Sequence, residues 1–367
     1  MKPRTLAVHA GQEPDPTTGA IMPPIYMTST FVQNTPGETK GYDYTRAGNP
    51  NFTQLETLLA ALENGKYATV FSAGLAALSA LISTLKSGDE VIALQGLYGG
   101  TFRLFNSIFS NFGIRFSQIP KEDLHKALKA KPHFLLFETP TNPLLELYDI
   151  KAISALAHQE GVKVIVDNTF ATPINQTPLK EGADIVWHST TKYLGGHSDV
   201  IGGALITDSL ELKQAFDFAR KSMGLNPSPF DVWLTQRGVK TLPLRMKAHN
   251  ENGQKLSAWL SKHPKVKRVY YPGFSGIVSA EFHLSLQETL HLISHLHLFA
   301  LAESLGGVES LVCHPATMTH ASIPPPQRQK IGLTDNLVRF SAGIEDPDDL
   351  IADLQLVLCK INFPALG

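Results

Sequence analysis

What most constrains the fold of this chain is a series of short apolar runs spaced along its first two thirds. They are "ATVF" (68–71), "EVIAL" (90–94), "HFLLFET" (133–139), "KVIVDNT" (163–169), "DIVWHST" (184–190) and "GGALIT" (202–207). Each is nearly continuous in apolar character and lacks the alternation of a strand with one wet face. Between several of them lie helical patterns such as "LAALSALISTL" and "DIKAISALAHQEG". Strands buried on both faces and alternating with helices predict an α/β fold with a mostly parallel sheet covered on both sides. Ligands of such sheets bind outside the carboxyl ends of the strands. Candidate chemistry is therefore sought there.

The pattern changes along the chain. Residues 1–60 are rich in Pro, Thr and Gly and predict an extended arm. Residues 61–236 carry the strand–helix alternation. Residues 237–367 turn to long amphipathic segments with the strand-like "KVKRVYY" and "LVRFSAG", which predict a smaller α+β domain. A length of 367 residues suits two cores better than one. The uncharged stretch "ATVFSAGLAALSALISTL" is long enough to suggest a membrane span. Ser72, Ala73 and Gly74 instead divide it into strand and helix, so no membrane association is expected. Lys and Arg (32) balance Asp and Glu (33), which argues against a nucleic-acid footprint. With only Cys313 and Cys359, no disulfide framework is expected. That cysteine usage and the polar start "MKPRTLAVHAGQEPD" point to a reducing, cytoplasmic setting.

Three polar residues fall at predicted strand ends: Asn142 in "FETPTNP", Asp167 in "IVDNTF" and Lys192 in "HSTTKY". Singly, Asn142 reads as a turn residue, Asp167 as a helix cap and Lys192 as a snorkelling surface group. Jointly they converge on the ligand-binding edge of one sheet. The segment "FSAGLAAL" adds a strand, a small-residue turn and a helix, leaving the N–H groups of Gly74 and Leu75 to face an anion. Neither a GxxxxGK[ST] loop nor a GxGxxG fingerprint is present. An anion cradle, a strand-end aspartate and a lysine flanked by hydroxyls fit pyridoxal 5'-phosphate (PLP). The lysine loses its charge in a Schiff base, and the aspartate keeps the pyridine nitrogen protonated.

The chain resembles the Cys/Met-metabolism family of PLP-dependent enzymes, which includes cystathionine γ-synthase, the cystathionine β- and γ-lyases and methionine γ-lyase. The resemblance rests on "YDYTRAGNP", "FSAGLAAL", "LYGGTFRLF", "ETPTNP", "VDNTFATP", "HSTTKYLGGHSD", "AESLGGVESL" and "VRFSAGIED". It implies PLP-dependent transferase fold type I, the aspartate-aminotransferase-like fold. It implies Lys192 as the Schiff-base lysine and proton shuttle, Asp167 at the pyridinium and Tyr98 stacked on the ring. Gly74, Leu75, Ser189 and Thr191 would hold the phosphate, with Tyr44 and Arg46 reaching it from a neighbouring subunit. Asn142, Ser304 and Arg339 would bind the substrate α-carboxylate. Arg103, Asp43 and Glu303 would read a second amino-acid head. The family further implies a dimer of dimers with shared sites.

The expected activity is that of a cystathionine lyase breaking a C–S bond, or of a cystathionine γ-synthase joining cysteine to an O-acylhomoserine. A non-catalytic PLP-binding protein would call for loss of Lys192 or Arg339, and both are present. Gly100 stands where methionine γ-lyases carry cysteine, and Cys313 where animal and yeast γ-lyases carry glutamate. His291 and His295 share a helix face, but no third ligand follows at metal-binding spacing, so no metal is expected. Cys313, in the apolar "LVCHPATM", reads as a structural thiol.

Overall fold

Each of the six apolar runs forms a strand in the computed structural model, which describes residues 1–321, 328 and 331–361. They are β1 (Tyr67–Phe71), β2 (Glu90–Leu94), β4 (Phe134–Glu138), β5 (Lys163–Asp167), β6 (Ile185–Ser189) and β7 (Gly203–Thr207). A seventh, β3 (Arg115–Ile119), joins them at one edge, giving the order β1-β7-β6-β5-β4-β2-β3. β7 runs antiparallel to both neighbours, and every other pairing is parallel. All five residues of β4 and of β7 are buried, which is why these strands read as unbroken apolar runs.

The helices between the strands follow their local chemistry. Asp149 caps Ile150–Gln159 by accepting from the Ala152 N–H at 2.9 Å. In Gly74–Ile82, Leu78, Leu81 and Ile82 are completely buried. Each contributes about 1.5–3 kcal/mol relative to exposure. Pro50–Glu63 opens on Asn49, whose side chain accepts from the Asn51 N–H, and closes at Asn64 in the left-handed conformation. The uncharged stretch at 68–85 is thus divided between β1 and the helix Gly74–Ile82. Among the described residues no helix is long and apolar enough to cross a membrane.

By internal contacts the chain groups into two units. The first comprises Met1–Gln95, Gly100–Glu138 and Asp149–Pro243, so the first sixty residues belong to it. The second takes Gly96–Gly99, Thr139–Tyr148 and the chain from Leu244 onward. Its own sheet has β8 (Val266–Tyr270), β9 (Ile277–Phe282), β10 (Ala300–Leu301), β11 (Leu311–Cys313) and β12 (Leu337–Ser341), in the order β10-β11-β12-β9-β8. β12 is antiparallel to β9 and β11 and is fully buried. Its Phe340 meets Phe282 and Phe299 edge-on, at 6.4 and 5.4 Å between ring centres. Leu350 and Leu354 of the helix Pro347–Lys360 belong to the same core.

Candidate active site

In the first unit the expected residues gather where the parallel strands end. Asp167 is the last residue of β5 and Ser189 the last of β6. Lys192 follows three residues later, half-buried in the turn after β6, its N–H on the Ser189 carbonyl at 3.3 Å. Asp167 Oδ1 accepts from the Thr169 N–H at 2.9 Å. Burial pushes its carboxyl up, while hydrogen bonds with Thr169 and the neighbouring His188 pull it back. A cationic ring nitrogen at this carboxylate would offset the burial.

The anion cradle is built from a glycine and an uncapped helix. Gly74–Ile82 has Ala73 at its N-cap, no capping side chain and no acid in its first turn. Its first N–H groups are therefore left for an anion. A Cβ on Gly74 would lie 3.0 Å from Ser189 Cβ and 3.2 Å from Ser189 Cα, so glycine lets the helix start lie against the end of β6. Trp187 Nε1 fixes this approach by donating to the Gly74 carbonyl at 2.8 Å. The two expected phosphate hydroxyls differ. Thr191 Oγ1 donates to the Gly202 carbonyl at 3.3 Å and accepts from the Gly202 N–H at 3.1 Å. Ser189 Oγ makes no protein hydrogen bond among the described residues, and it faces the glycine. These features fit a phosphate at Gly74, Leu75 and Ser189, with Thr191 shaping the loop.

The arm residues lie on the surface of the same unit. Tyr44, Asp43 and Arg46 are exposed. Arg46 donates to the Lys221 carbonyl at 3.0 Å, and its guanidinium sits 5.5 Å from the centre of the Tyr44 ring. Tyr44 and Arg46 line a shallow cleft of about 470 Å³ with Met27, Thr28 and Asn226. The Asp43 carboxylate accepts from the Tyr44 N–H at 2.7 Å. Arg103 is exposed on the helix Gly99–Ser107.

The second unit collects the expected carboxylate-binding residues. Arg339, on β12 and buried, donates from Nη1 to Asn142 Oδ1 at 2.9 Å and from Nη2 to the Ser304 carbonyl at 3.0 Å. Among the described residues no carboxylate lies within ion-pair distance of it, and its Nε has no partner. A buried guanidinium with only neutral acceptors is costly, and a ligand carboxylate would relieve the cost. Ser304 has φ 94°, a strained value for a non-glycine residue. Glu303 is exposed. Tyr98 is 39% exposed on a loop joined to this group, because the Asn142 N–H donates to the Gly96 carbonyl at 3.2 Å. Gly96, at φ 89°, would carry a Cβ only 2.7 Å from that of Thr141, so this junction requires glycine.

Three residues here make contacts that the sequence does not announce. His320 is buried, and burial first, then the Arg339 charge, lowers its pKa to about 4, against a hydrogen bond to the Asn142 backbone. It is a neutral brace for the Asn142–Arg339 pair, and its only sequence signal is its place between two threonines and a small residue in "TMTHA". Cys313 pairs with Arg339 across β11 and β12, and burial pushes its thiol up. It touches the Arg339 side chain as well as filling the core. Glu63, buried at a helix end, bonds His188 and Asn168. The rings of His291 and His295 stack at 3.9 Å, and among the described residues no group of three metal-ligating side chains forms.

The family profile described as Cys/Met metabolism PLP-dependent enzyme matches residues 4–359. The cystathionine β-lyase of Coxiella burnetii is 45% identical over 375 residues, covering 96% of this chain and 97% of that protein. The cystathionine γ-synthase of Mycobacterium leprae is 47% identical over 375 residues, covering 96% of both. The crystal structure of cystathionine γ-lyase from Lactobacillus plantarum complexed with L-serine superposes with a TM-score of 0.94 at 41% identity, over 98% of this chain and 99% of that one.

Proposed function

Because the chain belongs to the Cys/Met metabolism family of PLP-dependent enzymes, we propose that it cleaves the carbon–sulfur bond of cystathionine, with γ-replacement of an O-acylhomoserine by cysteine as the alternative. It is an enzyme of the cystathionine lyase and synthase group, and its cofactor is PLP. The observation that carries the reading is Arg339, a buried cation whose hydrogen-bond partners among the described residues are neutral. An α-amino acid supplies the carboxylate that this group lacks, and the planar guanidinium can take it bidentately.

The remaining residues take their roles from their chemistry. PLP, when bound, supplies an electron sink for negative charge at the substrate Cα. Asp167 holds the ring nitrogen protonated. Gly74, Leu75 and Ser189 would hold the phosphate end, Thr191 shapes the loop beside them, and Tyr98 would cover the ring. Lys192 Nζ would be the covalent anchor and, once the substrate amine displaces it, its free amine would take the proton from Cα and deliver one to the departing sulfur. Asn142 and Ser304 keep Arg339 oriented toward the α-carboxylate. Arg103, with Asp43 and Glu303, reads the distal carboxylate and ammonium of cystathionine. Tyr44 and Arg46 of one subunit reach the phosphate of its neighbour, in a dimer of dimers in the cytoplasm. The exposed, cation-bearing arm supports that arrangement.

Assays of the purified protein with cystathionine alone, with O-succinylhomoserine plus cysteine, and with methionine test the reading. Cystathionine alone should release a keto acid: pyruvate if the Cβ–S bond breaks, 2-oxobutyrate if the Cγ–S bond breaks. Cystathionine formation without keto acid release from cystathionine would establish the alternative. Faster turnover of methionine than of cystathionine would overturn both.

A further inference from the structure

The helix Pro50–Glu63 is largely buried, yet it carries polar residues at seven-residue intervals: Asn49 at its cap, Glu56, and Glu63 at its end. Seven residues make nearly two turns, so all three share one face. Glu56 accepts from Arg220 at 2.5 Å and from the Val70 N–H at 3.1 Å. One oxygen of Glu63, Oε1, accepts from His188 Nε2 at 2.5 Å and from Asn168 Nδ2 at 2.7 Å. Glu63 and His188 are each 1% exposed, and the mechanism above gives neither a step.

The place of this bridge is informative. The β5–β6 ladder has its last pair at Asp167 and Trp187. Beyond it side chains take over: the Ser189 N–H donates to Thr169 Oγ1 at 2.9 Å, and Glu63 joins His188 to Asn168. Asn168 directly follows Asp167, and His188 directly precedes Ser189. Stability alone explains the arrangement poorly. Buried ionic groups are often replaceable by apolar ones without loss, and among the described residues both Glu63 Oε2 and His188 Nδ1 lack partners.

We propose that Glu63 is a positioning residue for the cofactor. By holding His188 and Asn168 on one oxygen, it sets the distance between the Asp167 carboxyl and the Ser189 hydroxyl, the contacts for the ring nitrogen and the phosphate. The inference rests on the proposed roles of Asp167 and Ser189.

The test is PLP titration of the full-length protein after cofactor removal, with the melting temperature of the cofactor-free protein measured alongside. Glu63→Leu lacks the acceptor and should weaken PLP binding by about tenfold or more. Glu63→Gln keeps an acceptor oxygen and should stay within about threefold of wild type, although its unpartnered amide N–H lowers the melting temperature. Wild-type affinity in Glu63→Leu, or equal losses in both variants, would overturn the proposal. Should Glu63→Leu not fold, His188→Leu and Asn168→Ala each remove one arm of the bridge. Each should then weaken binding by roughly three- to tenfold, and wild-type affinity in both would be equally fatal. Asp167→Asn run in parallel separates the two layers of inference. A weakened Asp167→Asn beside an unaffected Glu63→Leu sinks the Glu63 role alone, whereas an unaffected Asp167→Asn sinks the proposed Asp167 role and the Glu63 role with it.

Discussion

Lys192 is tied into its turn by backbone bonds: its N–H reaches the Ser189 carbonyl, and its carbonyl accepts from the Gly196 N–H at 2.8 Å. Neither bond needs the side chain. Lys192→Ala should therefore melt within a few degrees of wild type while keto acid release from cystathionine falls by about a thousandfold or more, since covalent and proton-transfer roles are lost together. Thermal melts and steady-state assays check this, and turnover within tenfold of wild type would remove Lys192 from the mechanism. At this scale the residues legible in the sequence are those whose chemistry conflicts with their surroundings. Lys192 and Asp167 stand at the ends of apolar runs, where a charge needs a reason. Glu63 and His320 were not legible. Their meaning depends on partners such as His188, 125 residues from Glu63, and no local pattern announces such a pairing.

The six strands with nearly unbroken apolar runs are legible in the sequence, whereas β3 and β9 are not, because polar residues break their runs. β3 shows only partial burial and lies at the sheet edge, so its sequence "RFSQI" has no apolar run to detect. β9 is buried throughout, but Ser279 and Glu281 interrupt its apolar character. The fold accommodates them individually: Ser279 Oγ donates to the Pro143 carbonyl at 2.6 Å, and Glu281 takes Lys267 at 2.8 Å. The uncapped start of the helix Gly74–Ile82 is legible in the small residues that leave its N–H groups open. Its tolerance is narrow. In Gly74→Ala the new methyl meets Ser189 at 3.0 Å, tighter than ordinary packing, so the helix start and β6 must move apart. Any gain in helix propensity is at most about 1 kcal/mol and does not restore the cradle. PLP titration should show affinity falling by roughly tenfold with little change in melting temperature. Unchanged affinity would place the phosphate elsewhere.

At the scale of the whole molecule, composition marked changes of pattern near residues 60 and 236, but it could not show that two loops, Gly96–Gly99 and Thr139–Tyr148, leave the first unit to join the second. That regrouping depends on contacts such as Asn142 with Arg339, which lie far apart in the chain. The second unit also holds an acid liability. Burial lowers both His249 and His320 to about 4 from 6.5. Between those values the unfolded chain binds protons that the folded chain refuses, so stability is intact above pH 6.5 and falls as pH drops toward 4. Each histidine should cost about 2–3 kcal/mol by pH 4.5. His249→Gln can still donate to the Ala342 carbonyl, so its urea unfolding should lose correspondingly less between pH 7.5 and 4.5 than wild type. An unchanged pH slope would mean that folded His249 charges freely. The sheet of the first unit carries a further consequence, in the order of synthesis. β1 is an edge strand whose single neighbour is β7, with Phe71 paired to Gly203 and Tyr67 to Thr207. Roughly 130 residues must leave the ribosome between the two strands, which takes on the order of ten seconds. Throughout that interval the apolar "YATVF" has no strand to pair with, and the cradle that follows it hangs from an unanchored edge. The nascent chain thus leaves an apolar edge strand unpaired throughout, and a chaperone that shields residues 67–71 until residue 207 emerges would raise the yield of active enzyme.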